Sequence, residues 1–181
     1  MTVLELLFVM GIIGVLMALL IPALRGLSDT SKARSTRLLL SAARNMLGEM
    51  DVKSPVISQS WATGTVASPG KVGSEFSGRT GAAVQSTRDV MNKLRAMPLN
   101  AEALSQIAPS QMLILSGSDA PVLLDGWLNP IVFVPAGGMS GVTTRGTSGT
   151  VRAPDGRCFF ASAGPDGDFA TGDDNIYSFE H

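Results

Sequence analysis

Apolar positions crowd the start of the chain. Met1-Thr2-Val3-Leu4-Glu5-Leu6-Leu7 opens a run that continues to Leu24 with Thr2 and Glu5 as its only polar members. As a helix rising about 1.5 Å per residue, residues 1–24 would reach roughly 36 Å, and a hydrocarbon core requires about 30 Å. The pattern therefore predicts an N-terminal membrane span. A secretory signal would carry basic residues before the apolar stretch and a small-residue cleavage site after it, whereas this run begins at Met1. A buried helix that is apolar all round would have to be enclosed by the few apolar elements left in the chain.

Beyond residue 24 the pattern becomes periodic. Leu39, Ala43, Met46, Leu47 and Met50 recur at three-and-four spacing, with Arg37, Ser41, Arg44 and Asn45 on other faces. Residues 25–50 read as an amphipathic continuation of the same helix, running from near Met1 to near Met50 and covered in its second half by a small domain. Pro55 and a serine- and glycine-rich stretch from Ser58 to Gly81 predict a stop and then a loop able to carry an edge strand. Within 51–120 two short helices follow. Ser86 caps one that begins at Thr87 and ends at Pro98, and Asn100 caps another over Ala101–Ile107 that ends at Pro109.

From Met112 the apolar pieces shorten and become β-rich: MLIL, PVLL, IVFV, RCFFAS and NIYSF, separated by glycine-, serine- and aspartate-rich links. Asp155-Gly156 ahead of RCFFAS is a hairpin signal. Residues 121–181 thus predict a small antiparallel sheet laid over the long helix, an α+β fold.

Composition narrows the function. The chain has 181 residues, a formal net charge of −1 and only 16% charged residues, so nothing electrostatic favours nucleic acid. Arg25, Lys32, Arg34, Arg37 and Arg44 cluster after the apolar run, but no aromatic residue is interleaved with them, so no nucleic-acid partner is expected. The same cluster would favour a cytoplasmic flank by the positive-inside tendency, which a basic leader upstream would outweigh. Cys158 is the single cysteine and His181 the single histidine, which leaves no zinc set. GxSxG, HExxH, GxxxxGK and GxGxxG are all absent, so an enzyme is not expected.

Glu5 needs an explanation, since a carboxylate in an apolar span costs several kcal/mol unless it meets a partner. Two readings stand: pairing with an α-amino group, its own or that of a neighbouring copy, or solvation at headgroup level. The start Met1 to Leu7, with Gly11, Gly14 and Pro22, resembles the mature N-terminus of type IV pilins and of type II secretion pseudopilins. The resemblance implies a basic leader removed by a prepilin peptidase, N-methylation of Met1, and guidance of subunit assembly by Glu5. It implies too that the numbering starts at the mature residue, with methionine where the family most often has phenylalanine. Pro22 removes a donor and clashes one turn back, so a kink or local opening is expected between residues 18 and 22, with Gly14 loosening the same helix. In the family such loosening accompanies packing into a fibre.

Two C-terminal motifs resemble the major pseudopilin. Asp125-Gly126-Trp127-Leu128-Asn129-Pro130 is similar to the DPWGNP-like element before the first sheet strand, departing from it at Gly126 and Leu128. Residues 162–176 carry Asp166, Asp168, Asp173 and Asp174 among glycines, without a basic neighbour. Such acids repel one another unless a cation collects them, and calcium accepts six to eight oxygens in a flexible shell. Tyr177 occupies the place of the bidentate glutamate of an EF-hand, and a solvated acidic turn is the other reading. By resemblance, Asp166, Asp173 and Asp174 are the calcium ligands, with Asp168 as a fourth candidate.

The expected function is a non-enzymatic subunit that polymerises into a helical homo-oligomer, a type II secretion pseudopilus or type IV pilus-like filament. A true surface pilin for adhesion, motility or uptake is the near alternative, and a single-span membrane-anchored calcium-binding module the distant one. The implied partners are the inner membrane before assembly, the secretion or pilus assembly machinery, and the prepilin peptidase. The implied location is the inner membrane, then the envelope or an extracellular filament.

Overall fold

A computed structural model describes residues 3–53, 63–72, 82–114 and 121–180. The side chains of residues 4, 5, 19–27, 49–53, 82 and 83 lie outside that description. The fold is α+β. Helix α1 spans Val3–Lys53, α2 spans Ala82–Arg95 and α3 spans Pro98–Ser105, with a 3-10 turn at Pro109–Gln111. The strands are β1 (Val66–Ala67), β2 (Met112–Ile114), β3 (Pro121–Leu123), β4 (Val132–Val134), β5 (Met139–Thr144), β6 (Thr147–Val151), β7 (Phe159–Ser162) and β8 (Ile176–Tyr177).

The first correction concerns the membrane. Among the described residues no helix is long and apolar enough to cross one, which overturns the expected transmembrane first half.

The second correction concerns the sheet. In place of one antiparallel sheet there are three small ones, ordered β1-β5-β6, β2-β3 and β4-β7-β8. β1 runs parallel to β5, pairing Val66 with Met139, while the remaining pairs are antiparallel. The five apolar pieces from Met112 onward each supply a strand, but the glycine- and threonine-rich stretch also forms a hairpin, β5–β6. Its turn is Arg145-Gly146, both at positive φ, the conformation that suits the twist of a two-residue hairpin. Asp155-Gly156 does not close a hairpin. Gly156 N donates to Ala153 O at 3.0 Å in a turn that carries the chain from one sheet to another.

The short helices also shift. α2 begins before Ser86, and Thr87 inside it is buried, its hydroxyl accepting from Phe133 N at 2.8 Å. α3 begins at Pro98, because proline's fixed φ and missing N–H suit the first helical turn. Asn100, expected as a cap, is instead buried and donates to Met46 O at 3.2 Å, fastening α3 to α1.

The core follows from these contacts. Leu39, Leu40, Ala43, Met46 and Leu47 of α1 pack on Val90, Met91 and Leu94 of α2 and on Phe133, Phe160 and Ile176 of the β4-β7-β8 sheet. Phe133 and Phe160 meet edge to face with ring centroids 5.7 Å apart. The far face of that sheet packs Val132, Val134, Phe159, Ala161 and Tyr177 on Met139, Val142 and Phe169. The sheet is therefore buried on both sides, and its outer connection, residues 162–176, is held in place by core contacts at either end.

Candidate functional site

The acidic loop joins β7 to β8 and rests on a buried polar hub. Asp125 is 1% exposed. One carboxylate oxygen accepts from Trp127 N at 2.9 Å and from Asn129 N at 2.8 Å, and the other accepts from Ser162 Oγ at 2.7 Å. Burial pushes the Asp125 pKa up, against the opposing pull of the Ser162, Asn129 and Trp127 donors. Leu128 and Gly126 each have a physical place here. Leu128 adopts φ 69 in the turn, where glycine would be unstrained, and stands exposed. Gly126 lies so close to α1 that a Cβ would sit 2.6 Å from Lys32 O.

The hub reaches in two directions. Toward α1, Gly126 N donates at 2.9 Å to Thr36 Oγ1, whose hydroxyl donates in turn to Lys32 O at 2.9 Å, so the buried threonine is satisfied as both donor and acceptor. Toward the loop, Asn129 Nδ2 donates to Gly164 O at 2.8 Å. Gly164, at φ 68, permits the chain to cross against the backbone of Asp174, where a Cβ would collide with the Asp174 carbonyl oxygen. A continuous polar path thus runs from the middle of α1 to the acidic loop.

Within the loop the four acids divide. Asp166 accepts from Asp168 N at 2.8 Å and from Thr171 Oγ1, and Asp168 accepts from Ala170 N at 2.9 Å. Asp173 turns away and accepts from Arg145 N of the β5–β6 turn at 3.2 Å. Asp174 is the acid that faces Asp166. Burial and then the Asp166 charge raise its pKa, as expected for two carboxylates sharing one place. Beside it, Asn175 is buried; its Nδ2 donates to Phe169 O and Tyr177 Oη, each at 3.2 Å, while its Oδ1 has no partner among the described residues. Backbone bonds from Val72 N to Gly167 O (2.8 Å) and from Phe169 N to Gly70 O (3.0 Å) tie the loop to residues 70–72.

The loop therefore brings Asp166 and Asp174 together and commits Asp168 and Asp173 to its own backbone and to the hairpin. Among the described residues no group of three or more His, Cys, Asp or Glu is gathered as a metal site. The donor set that does converge is all oxygen, the chemistry that suits calcium. Of the residues expected to guide assembly, Met1 lies outside the described residues, and Glu5 lies in α1 with its side chain outside them. Gly14 is exposed with nothing within 4 Å of a Cβ placed on it, and Pro22 lies within the helical span of α1.

Sequence reasoning missed Ser162, Asn129 and Asn175. A buried aspartate in a turn needs donors, and a serine closing the apolar run Phe159-Phe160-Ala161 was the available signal. A largely apolar groove of about 340 Å³ between α3 and β2 is lined by Ala101, Leu104, Pro109, Met112, Ile114 and Pro121, with Arg95 and Ser105 as its polar members. Comparison with family models, curated proteins and solved structures finds no match to this chain.

Proposed function

We propose that this chain is a non-enzymatic filament subunit of the pilin and pseudopilin kind, polymerising into a helical homo-oligomer. The observation that carries the reading is the division of α1. Its second half is anchored in the body through Leu40, Ala43 and Met46, while its first part stands free with Leu7 72% and Phe8 71% exposed. Exposed apolar surface of this extent on a helix calls for a partner, and copies of the same helix supply one of matching character. A head-to-tail contact between unlike surfaces does not close, so it yields an open helical fibre. The resemblance of Met1 to Leu7 gives Glu5 the role of setting register between successive copies, after a prepilin peptidase has acted and with the assembly machinery delivering the subunits.

In the same proposal the acidic loop takes calcium on Asp166 and Asp174, with carbonyl oxygens completing the shell. The approach of those two carboxylates, the raised Asp174 pKa and the unpartnered Asn175 Oδ1 support it. The ion would stabilise the folded body by mass action.

The test is electron microscopy of sheared surface material and of washed cells, labelled with antibody to the body, for the parent chain and Glu5→Ala. Labelled fibres in the sheared fraction mean a surface filament, and label confined to the envelope means a short secretion pseudopilus. Fibre loss in Glu5→Ala supports the reading, whereas a parent chain that forms no filament in either fraction overturns it.

A further inference from the structure

On the folded body two exposed leucines sit beside charged side chains of opposite sign. Leu38 on α1 is 66% exposed, with Arg34 one turn before it and Arg37 adjacent, both exposed. Leu99 on α3 is 53% exposed, with exposed Glu102 three positions on and so on the same face of the helix. Among the described residues none of the three charged side chains has a partner. Within one chain the two patches cannot meet, because α3 is fastened elsewhere on α1, through Asn100 and the Met46 carbonyl.

We infer that these patches are the two halves of one contact between copies: Leu38 with Arg34 and Arg37 docks on Leu99 with Glu102 of the next chain. The inference rests on the filament reading and names the body surfaces that meet in it. Both patches are single helical turns, so two helices can cross there with the leucines in the centre and the charges at the rim. Desolvated apolar centres with opposed rim charges are the usual anatomy of a specific interface. The two patches are unlike and lie on different elements, so every chain keeps one of each free and the contact propagates.

Arg34→Glu/Arg37→Glu in the full chain places like charges on both sides. With rim pairs of ordinary strength, filament yield should fall about tenfold, and adding Glu102→Arg should restore it. In a Cys158→Ala background, Leu38→Cys with Leu99→Cys should give a ladder of disulfide-linked multimers, and neither cysteine alone should pass beyond a dimer. Unchanged filaments in the charge-reversed chain, a loss that Glu102→Arg does not restore, or filaments without a ladder would each overturn the contact while leaving the filament reading intact. A parent chain that forms no filaments removes both.

Discussion

Replacing Asp125 by alanine tests the hub that positions the acidic loop. The substitution leaves three donors, Trp127 N, Asn129 N and Ser162 Oγ, facing a space with no acceptor, and Ser162 is fully buried. An unsatisfied buried donor costs about 1–3 kcal/mol, and losing a desolvated carboxylate returns part of that, so the net expectation is about 3–5 kcal/mol. A domain of this kind is stable by only about 5–15 kcal/mol, so the variant should be near its unfolding limit. Asp125→Asn keeps one acceptor for the two backbone donors, and Ser162 can rotate to accept from the new amide, so about 1–2 kcal/mol is expected. Urea unfolding of the full chain with both variants measures the difference. Asp125→Ala within 1 kcal/mol of the parent, or Asp125→Asn worse than Asp125→Ala, would refute the assignment. The pH dependence has a fixed sign. Burial raises the Asp125 pKa in the fold above its unfolded value of about 3.9, so the folded state binds the proton more tightly. Its contribution is complete below the unfolded pKa and is lost as pH rises through the folded one. The stability gap between parent and Asp125→Asn should therefore narrow from pH 4 upward, and a widening gap would contradict the raised pKa.

Further outcomes follow from other contacts. Gly126→Ala drives a Cβ into the Lys32 carbonyl and should destabilise by about 1–3 kcal/mol, whereas Gly14→Ala meets nothing and should be neutral or stabilising in the same unfolding assay. Millimolar calcium should raise the melting temperature of the full chain and chelator should reverse it; Asp166→Asn or Asp174→Asn should abolish the shift. Because the Asp174 pKa is raised, calcium must displace a proton in mild acid, so the shift should shrink as pH falls, and a shift independent of pH would argue against Asp174 as a ligand. The Arg44–Asp155 pair, 2.5 Å apart, is partly exposed, so Arg44→Ala should cost about 1 kcal/mol or less in urea unfolding.

What could be read from the chain depended on whether local pattern or distant contact decides the structure. The stripe Leu39, Ala43, Met46 and Leu47 named the buried face of α1, and MLIL, PVLL, IVFV, RCFFAS and NIYSF each named a strand, because burial writes itself into spacing. The β5–β6 hairpin was illegible because its residues are mostly exposed threonine, serine and glycine; pairing, rather than apolar alternation, makes them strands. The start of α3 at Pro98 follows a local preference of proline, but the burial of Asn100 depends on Met46 O, a partner 54 positions away that no local rule contains. The membrane span was read from apolar composition, and among the described residues no helix is long and apolar enough to cross a membrane. In the loop, acid spacing pointed to a shared site, and only the geometry separates the facing pair, Asp166 and Asp174, from Asp168 and Asp173.

The anchoring of α1 has a kinetic corollary. Its partners are remote in the chain: Gly126 bonds to Thr36 across 90 positions, Arg44 to Ser178 across 134, and Phe160 and Ile176 complete the pocket for Leu40 and Met46. Closing such long loops is slow, because chain entropy is lost before the distant contacts form. During synthesis α1 emerges well before β7 and β8 finish its seat, so both its apolar start and its core face remain uncovered while the rest of the body is made. Ribosome-bound chains halted before β7 should accordingly be captured by holdase chaperones and cut by protease within α1, and that susceptibility should disappear once β8 has been released.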